Sequence, residues 1–118
     1  MPNPVMWWEV YGKNGKQLQQ YYANLFGWHV EDNSSMSYGM VDTHTDKGAN
    51  GGIAESDKGA QVMIYVEVDD LQAYLDKAVK MGGKVITPVT VIPDQVTFAQ
   101  FSDPAGNIIG LMKNMDGG

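Results

Sequence analysis

Apolar and polar residues alternate with period two in three stretches, the pattern of half-buried strands. In VMWWEVY (5–11), Met6, Trp8 and Val10 share one face, and Trp7, Glu9 and Tyr11 the other. In QVMIYVEV (61–68), Val62, Ile64, Val66 and Val68 form an aliphatic face expected to meet a helix. Gln61, Met63, Tyr65 and Glu67 lie opposite. In NIIGLMK (107–113), Ile109 and Leu111 oppose Ile108, Gly110 and Met112. Two other stretches follow the helical period. Leu18, Tyr21, Tyr22, Leu25 and Phe26 form one apolar stripe, stopped by Gly27. Leu71, Tyr74, Leu75, Ala78 and Val79 form the second, ended by Gly82-Gly83, with Asp69 or Asp70 suited to cap its start. Further strands are expected near 28–31, 37–42, 52–55, 84–92 and 95–102, with Pro88 and Pro93 keeping 84–92 at an edge.

The order is strand, helix, three short strands, and then the same again. Sliding the chain by 56 residues lays FGWHV (26–30) on GGKVI (82–86), Leu18 on Tyr74, Leu25 on Met81 and Trp7 on Met63. The repeat rests on pattern and spacing rather than on identities. The small, polar segments DKGANGG and ESDKG read as loop and inter-module linker. This predicts one α+β domain over 1–118 built from two βαβββ modules, about 1–56 and about 60–118. About 55 residues is marginal for a separate core.

Composition narrows the chemistry. The chain has no cysteine, which excludes disulfides, thiolate nucleophiles and thiolate-bound metals. A formal charge of −6 argues against a nucleic-acid partner and, if it selects anything, favours neutral or cationic small molecules. The blander reading is that acidity keeps the protein soluble. No apolar run approaches the roughly 20 residues that span a bilayer. MPNPVMWWEV has neither a basic start nor a clean apolar stretch, so it does not read as a signal peptide and the expected location is cytoplasmic. KGANGG lacks the setting of a phosphate loop, and no serine stands in a nucleophile elbow.

WWEV, YYANLFGW, YVEVDDLQAYLDKAVKMGGKV and FSDPAGNIIGLM follow one another at a spacing that resembles the vicinal oxygen chelate superfamily of glyoxalase, bleomycin-resistance and extradiol dioxygenase proteins. The resemblance covers nearly the whole chain and is greatest to the short, single-domain branch. It implies two modules curling a mixed sheet around a cavity, with helices outside. It also implies a divalent metal held by His, Gln or Glu on the first and last strands of each module. Carried onto this chain, those positions are Trp7, Met63, Gly110 and, subtracting 56, Ala54. None is a donor for a hard or borderline ion, since methionine is at most a weak, soft one. No metal or other cofactor is therefore expected. Gly110 then reads as a ligand position left vacant, or else as a glycine tolerated at a bulge or under a packed ring.

The remaining chemistry centres on Glu9 and Tyr65, which share strand faces with Trp7 and Met63. Either could serve proton transfer or ligand binding, or Glu9 could simply hydrogen-bond a neighbour. Trp7, Glu9, Ala54, Met63, Tyr65, Gly110 and Met112, with Met40 and Phe98 or Phe101, are the expected ligand-lining set. Trp8 is assigned to packing. His29 and His44 read as solvent-facing loop histidines. A non-standard metal site from His44, Glu9, Glu55 or Glu67 stays open, though it needs several donors converging on one point. The leading reading is a metal-independent binder of aromatic or cationic, drug-like molecules, a homodimer like the family's antibiotic-resistance proteins. The alternative is a glyoxalase-like lyase or isomerase with a non-standard metal or Glu9 as general base. The third is an accessory module with a vestigial cavity.

Overall fold

The computed structural model describes residues 3–33 and 37–114. The element order is β1 (Val5–Gly12), α1 (Gly15–Phe26), β2 (His29–Asn33), β3 (Tyr38–Asp42) and β4 (Gly51–Glu55), then β5 (Gln61–Glu67), α2 (Leu71–Lys80), β6 (Lys84–Ile92), β7 (Val96–Ser102) and β8 (Ile108–Asn114). This is the expected βαβββ unit twice over. The chain divides into two compact units, Met6–Met63 and the chain from Ile64 onward with residues 3–5.

In the first unit β1 runs parallel to β4, while β3 pairs antiparallel with both β4 and β2. In the second, β5 runs parallel to β8, and β7 pairs antiparallel with both β8 and β6. The helix crossover from β1 or β5 makes the parallel pairing reachable, and short turns make the antiparallel ones. Both helices carry the caps their sequences offer. The Asn14 side chain accepts from Gln17 N, and Gly27 ends α1 in the left-handed conformation at φ 74°. Asp70, rather than Asp69, caps α2 by accepting from Ala73 N.

α2 packs as its stripe predicts. Leu71 and Leu75 join Val68, Ala99 and Leu111 in a buried cluster, with Val66, Tyr74 and Phe101 against it. Each fully buried aliphatic chain contributes roughly 1.5–3 kcal/mol, so this cluster dominates the unit's stability. The aliphatic face of β5 is only partly used. Val68 is buried and Val66 half-buried, whereas Val62 is 70% exposed and Ile64 37%. The helix lies over the C-terminal end of the strand and leaves its start uncovered.

α1 departs from expectation. Its buried residues are Gly15 and Gln19, while Tyr21, Leu25 and Phe26 are each more than half exposed. Glycines explain the rotation. A Cβ on Gly39 would come within 2.7 Å of the Gln19 amide, and one on Gly15 within 3.0 Å of the Glu55 backbone. Without those side chains the helix settles on its Gly15–Gln19 edge, and Gln19 Nε2 donates to the Ile53 carbonyl at 3.1 Å. A satisfied buried amide thus takes the place the aromatic stripe was expected to fill. No helix among the described residues is long and apolar enough to cross a membrane.

Candidate functional site

Each unit gathers one set of polar and aromatic side chains around its parallel strand pair. In the first unit the centre is Glu9 on β1. Among the described residues the buried polar side chains are Glu9, Gln19 and Ser102, so Glu9 is the buried carboxyl group. It sits at the point of β1 opposite Gly52 of β4. Tyr11, two residues on and therefore on the same face, donates its hydroxyl to Glu9 Oε1. Tyr38 of β3 donates to Glu9 Oε2 at 2.5 Å, and Trp7 Nε1 donates to the Tyr38 oxygen at 2.9 Å. A chain of hydrogen bonds therefore runs from the Trp7 indole through the Tyr38 phenol to the carboxylate, which a second phenol holds from the other side. An ionised carboxylate offers about four acceptor positions, so two phenols leave it room for further donors.

Tyr38 reaches Glu9 because Gly52 has no side chain. A Cβ there would lie 2.5 Å from Tyr38 Cε1 and overlap its hydroxyl. The parallel pairing sets Gly52 opposite Glu9 and Gly110 opposite Tyr65. Glu9 and Tyr65 are 56 residues apart, so the counterpart of Gly110 in the first unit is Gly52 rather than Ala54. Ala54 is buried two residues further along, opposite Tyr11 and Tyr38.

In the second unit Tyr65 takes the place of Glu9. It is 6% exposed, and its ring covers Gly110, where a Cβ would overlap ring carbons and lie 2.7 Å from Cγ. Of the two readings of Gly110, a vacant position or a glycine under a packed ring, the structure shows the second. Gln100 Nε2 donates to the Tyr65 oxygen at 3.0 Å, and Thr87 Oγ1 donates to Gln100 Oε1 at 2.7 Å. Phe98 meets Tyr65 edge-on with ring centroids 6.5 Å apart and pairs with Met112 across the strands. Phe101, one residue out of phase, packs on the α2 core instead. Met63 is buried.

The other candidates lie elsewhere. Met40 is 48% exposed. His29 and His44 stack with ring centroids 5.4 Å apart on the surface of the first unit, and His44 stands 3.6 Å from Asp42. Glu55 is exposed at the start of α1, where it accepts from Gly15 N at 3.4 Å. There it borders a cleft of about 180 Å³ with Asn14, Lys16, Gln19 and Asp32. Among the described residues no three His, Cys, Asp or Glu side chains gather as a metal-binding group. Tyr11, Tyr38, Gly52, Thr87 and Gln100 were not singled out from the sequence. Gly52 carried a readable signal, a glycine in a strand, which marks a close approach.

The comparisons with known proteins agree with this architecture. The "Putative glyoxylase CFP32" of Mycobacterium tuberculosis is 32% identical over 115 residues, covering 89% of this chain and 43% of that protein. The chain therefore spans less than half the length of that relative. The solved structure of a glyoxalase/bleomycin resistance protein/dioxygenase superfamily member from Vibrio splendidus superposes with a TM-score of 0.65 at 14% identity, over 96% of this chain and all of that one. The methylmalonyl-CoA epimerase of Mycobacterium tuberculosis superposes with a TM-score of 0.67 at 12% identity, over 93% and 87%. At such identities the structural likeness speaks for the fold. Residues 7–111 match the family itself, and the chain belongs to the Glyoxalase/Bleomycin resistance protein/Dioxygenase superfamily.

Proposed function

We propose that the protein binds a small aromatic or cationic organic molecule without a metal, and that it works as a pair of identical chains. One observation carries the reading: a buried carboxylate, Glu9, whose two oxygens each accept from a phenol, beside the Trp7 indole. A carboxylate with acceptor capacity to spare and aromatic faces around it favours a cation, each cation–π contact adding about 0.5–2 kcal/mol. The residues present do not fit the divalent ion of the family's enzymes. Trp7, Met63, Ala54 and Gly110 offer no hard donor, the space over Gly110 is filled by Tyr65, and the space over Gly52 by Tyr38.

A melting-shift screen of aromatic amines against their neutral isosteres tests this. At a ligand concentration of about 100 Kd the folded state gains roughly 2.7 kcal/mol. The cations are expected to raise Tm more than the isosteres, and Glu9→Gln to remove the difference. Stabilisation that appears only after Ni²⁺, Zn²⁺, Mn²⁺ or Fe²⁺ is added, or one such metal per chain retained on purification, would sink the proposal.

The second reading is a lyase or isomerase with Glu9 as general base, favoured by the short Tyr38–Glu9 hydrogen bond within a family that includes enzymes. Turnover that survives Glu9→Gln would remove it.

A further inference from the structure

An exposed aromatic feature of the first unit lies on the opposite face of β1 from Glu9. Trp8 and Trp28 pack with ring centroids 5.2 Å apart, and Phe26 lies 4.8 Å from Trp28. Tyr22 stacks on both Phe26 and Trp28 at 6.1 Å, and Tyr21 meets Tyr22 edge-on at 5.1 Å. Leu25 continues the surface one turn beyond Tyr21. Tyr21 is 59% exposed, and Leu25 and Phe26 are 56% exposed. The base is fixed, because Trp8 Nε1 donates to the Ala49 carbonyl at 2.9 Å and the Trp8 ring lies over Gly51, where a Cβ would come within 2.5 Å of Cε2.

The fold does not require these rings. The second unit has the same topology, and 56 residues on its matching positions are Ile64, Lys77, Ala78, Met81, Gly82 and Lys84. The charge pattern differs in the same way. α2 carries Asp76, Lys77 and Lys80, whereas α1 has Lys16 at its start and no charged residue from Gln17 to Phe26. Surface helices normally put charge on their outer face. A face rich in Tyr, Trp and Phe and poor in Lys, Glu and Asp has the composition of an interface centre.

We infer that this aromatic face of α1 is where a second copy of the chain docks, which names the surface for the two-copy reading proposed above and rests on it. Charge selects this occupant. Two chains of net charge −6 repel unless the faces that meet are uncharged, and this face is. Its polar residues, Gln17, Gln20 and Asn24, carry amides that both donate and accept, so the face complements itself about a two-fold axis. A charged partner would gain nothing from it. Tyr21, Leu25 and Phe26 stand more than half exposed together on this face, and contiguous apolar patches of a few hundred Å² mark interaction sites. Two such faces joined by their amide rims would make a small interface, near the low end of about 1,200 Å² for specific contacts.

Sedimentation over a concentration series tests the inference. Leu25→Glu/Phe26→Glu is expected to raise the dimer Kd at least tenfold with an unchanged far-UV spectrum, whereas Met81→Glu, at the matching position of the second unit, leaves it unchanged. Because the chain has no cysteine, Asn24→Cys gives an independent reading that does not rely on the double variant folding. It is expected to form a disulfide-linked dimer under mild oxidation, and Lys80→Cys is not. A wild-type chain that stays monomeric throughout would overturn this inference and the two-copy reading together. A dimer that withstands the double variant, or one that Asn24→Cys fails to cross-link, would overturn the surface and leave the two-copy reading standing.

Discussion

Replacing Gly110 with alanine tests the arrangement of the second unit at its tightest point. In an unobstructed strand the change should stabilise by about 0.4–1 kcal/mol, because alanine loses less backbone freedom on folding. Here the new methyl overlaps the Tyr65 ring, which is 6% exposed and cannot swing into solvent. Forcing a methyl into a packed site costs roughly 1–3 kcal/mol. Displacing the ring also stretches the 3.0 Å hydrogen bond from Gln100, a further loss of about 0.5–1.5 kcal/mol. The expected net effect is a destabilisation of roughly 0.5–4 kcal/mol, opposite in sign to the unobstructed case. Urea unfolding measures it directly; at a slope near 1.5 kcal/mol per molar the midpoint falls by roughly 0.3–2.7 M. In a double-mutant cycle, Tyr65→Leu should recover at least ~1 kcal/mol of the Gly110→Ala loss. A Gly110→Ala protein as stable as wild type, or more so, would show that the ring does not lie over Gly110 and that the position is open space.

Three further outcomes follow from single contacts. Tyr38→Phe removes the hydroxyl that donates to Glu9 and accepts from Trp7, and should cost about 1–3 kcal/mol; a loss below ~0.5 kcal/mol in urea unfolding would contradict the network. Asp70→Ala should cost about 1 kcal/mol through the lost cap of α2, with Asp69→Ala within ~0.5 kcal/mol of wild type, and equal effects would refute that assignment. The Asn107 side-chain amide, followed by the backbone N–H groups of Asn107, Ala105 and Gly106, holds the Asp103 carboxyl below its ordinary value of 3.8. Its folded-state pKa is therefore depressed, so its contribution is complete above the unfolded value and is lost as pH falls through the folded one. A carboxyl-carbon NMR titration of the folded protein should place its midpoint below 3.8, and a midpoint at or above that value would refute the turn geometry.

Much of the architecture was legible because it is written in local terms. The order of elements, a cap at Asp69 or Asp70 and the stop at Gly27 depend on residues within a turn or two of one another, and the structure chose Asp70 between the two. Gly110 was readable as a close approach but not as to what approached. The ring over it belongs to Tyr65, 45 residues earlier, brought there by the parallel pairing of β5 with β8. Counting back 56 residues led to Ala54, whereas the strand pairing selects Gly52, because the loops between strands need not be equal in length in the two units.

The sequence by itself determined the βαβββ repeat, since short-range periodicity and spacing suffice for it. Tertiary structure decided which face of α1 is buried, because the glycine that admits Gln19, Gly39, lies on β3. It also decided that Glu9 is held by Tyr38, since the two meet across β4 only where Gly52 leaves room for a phenol.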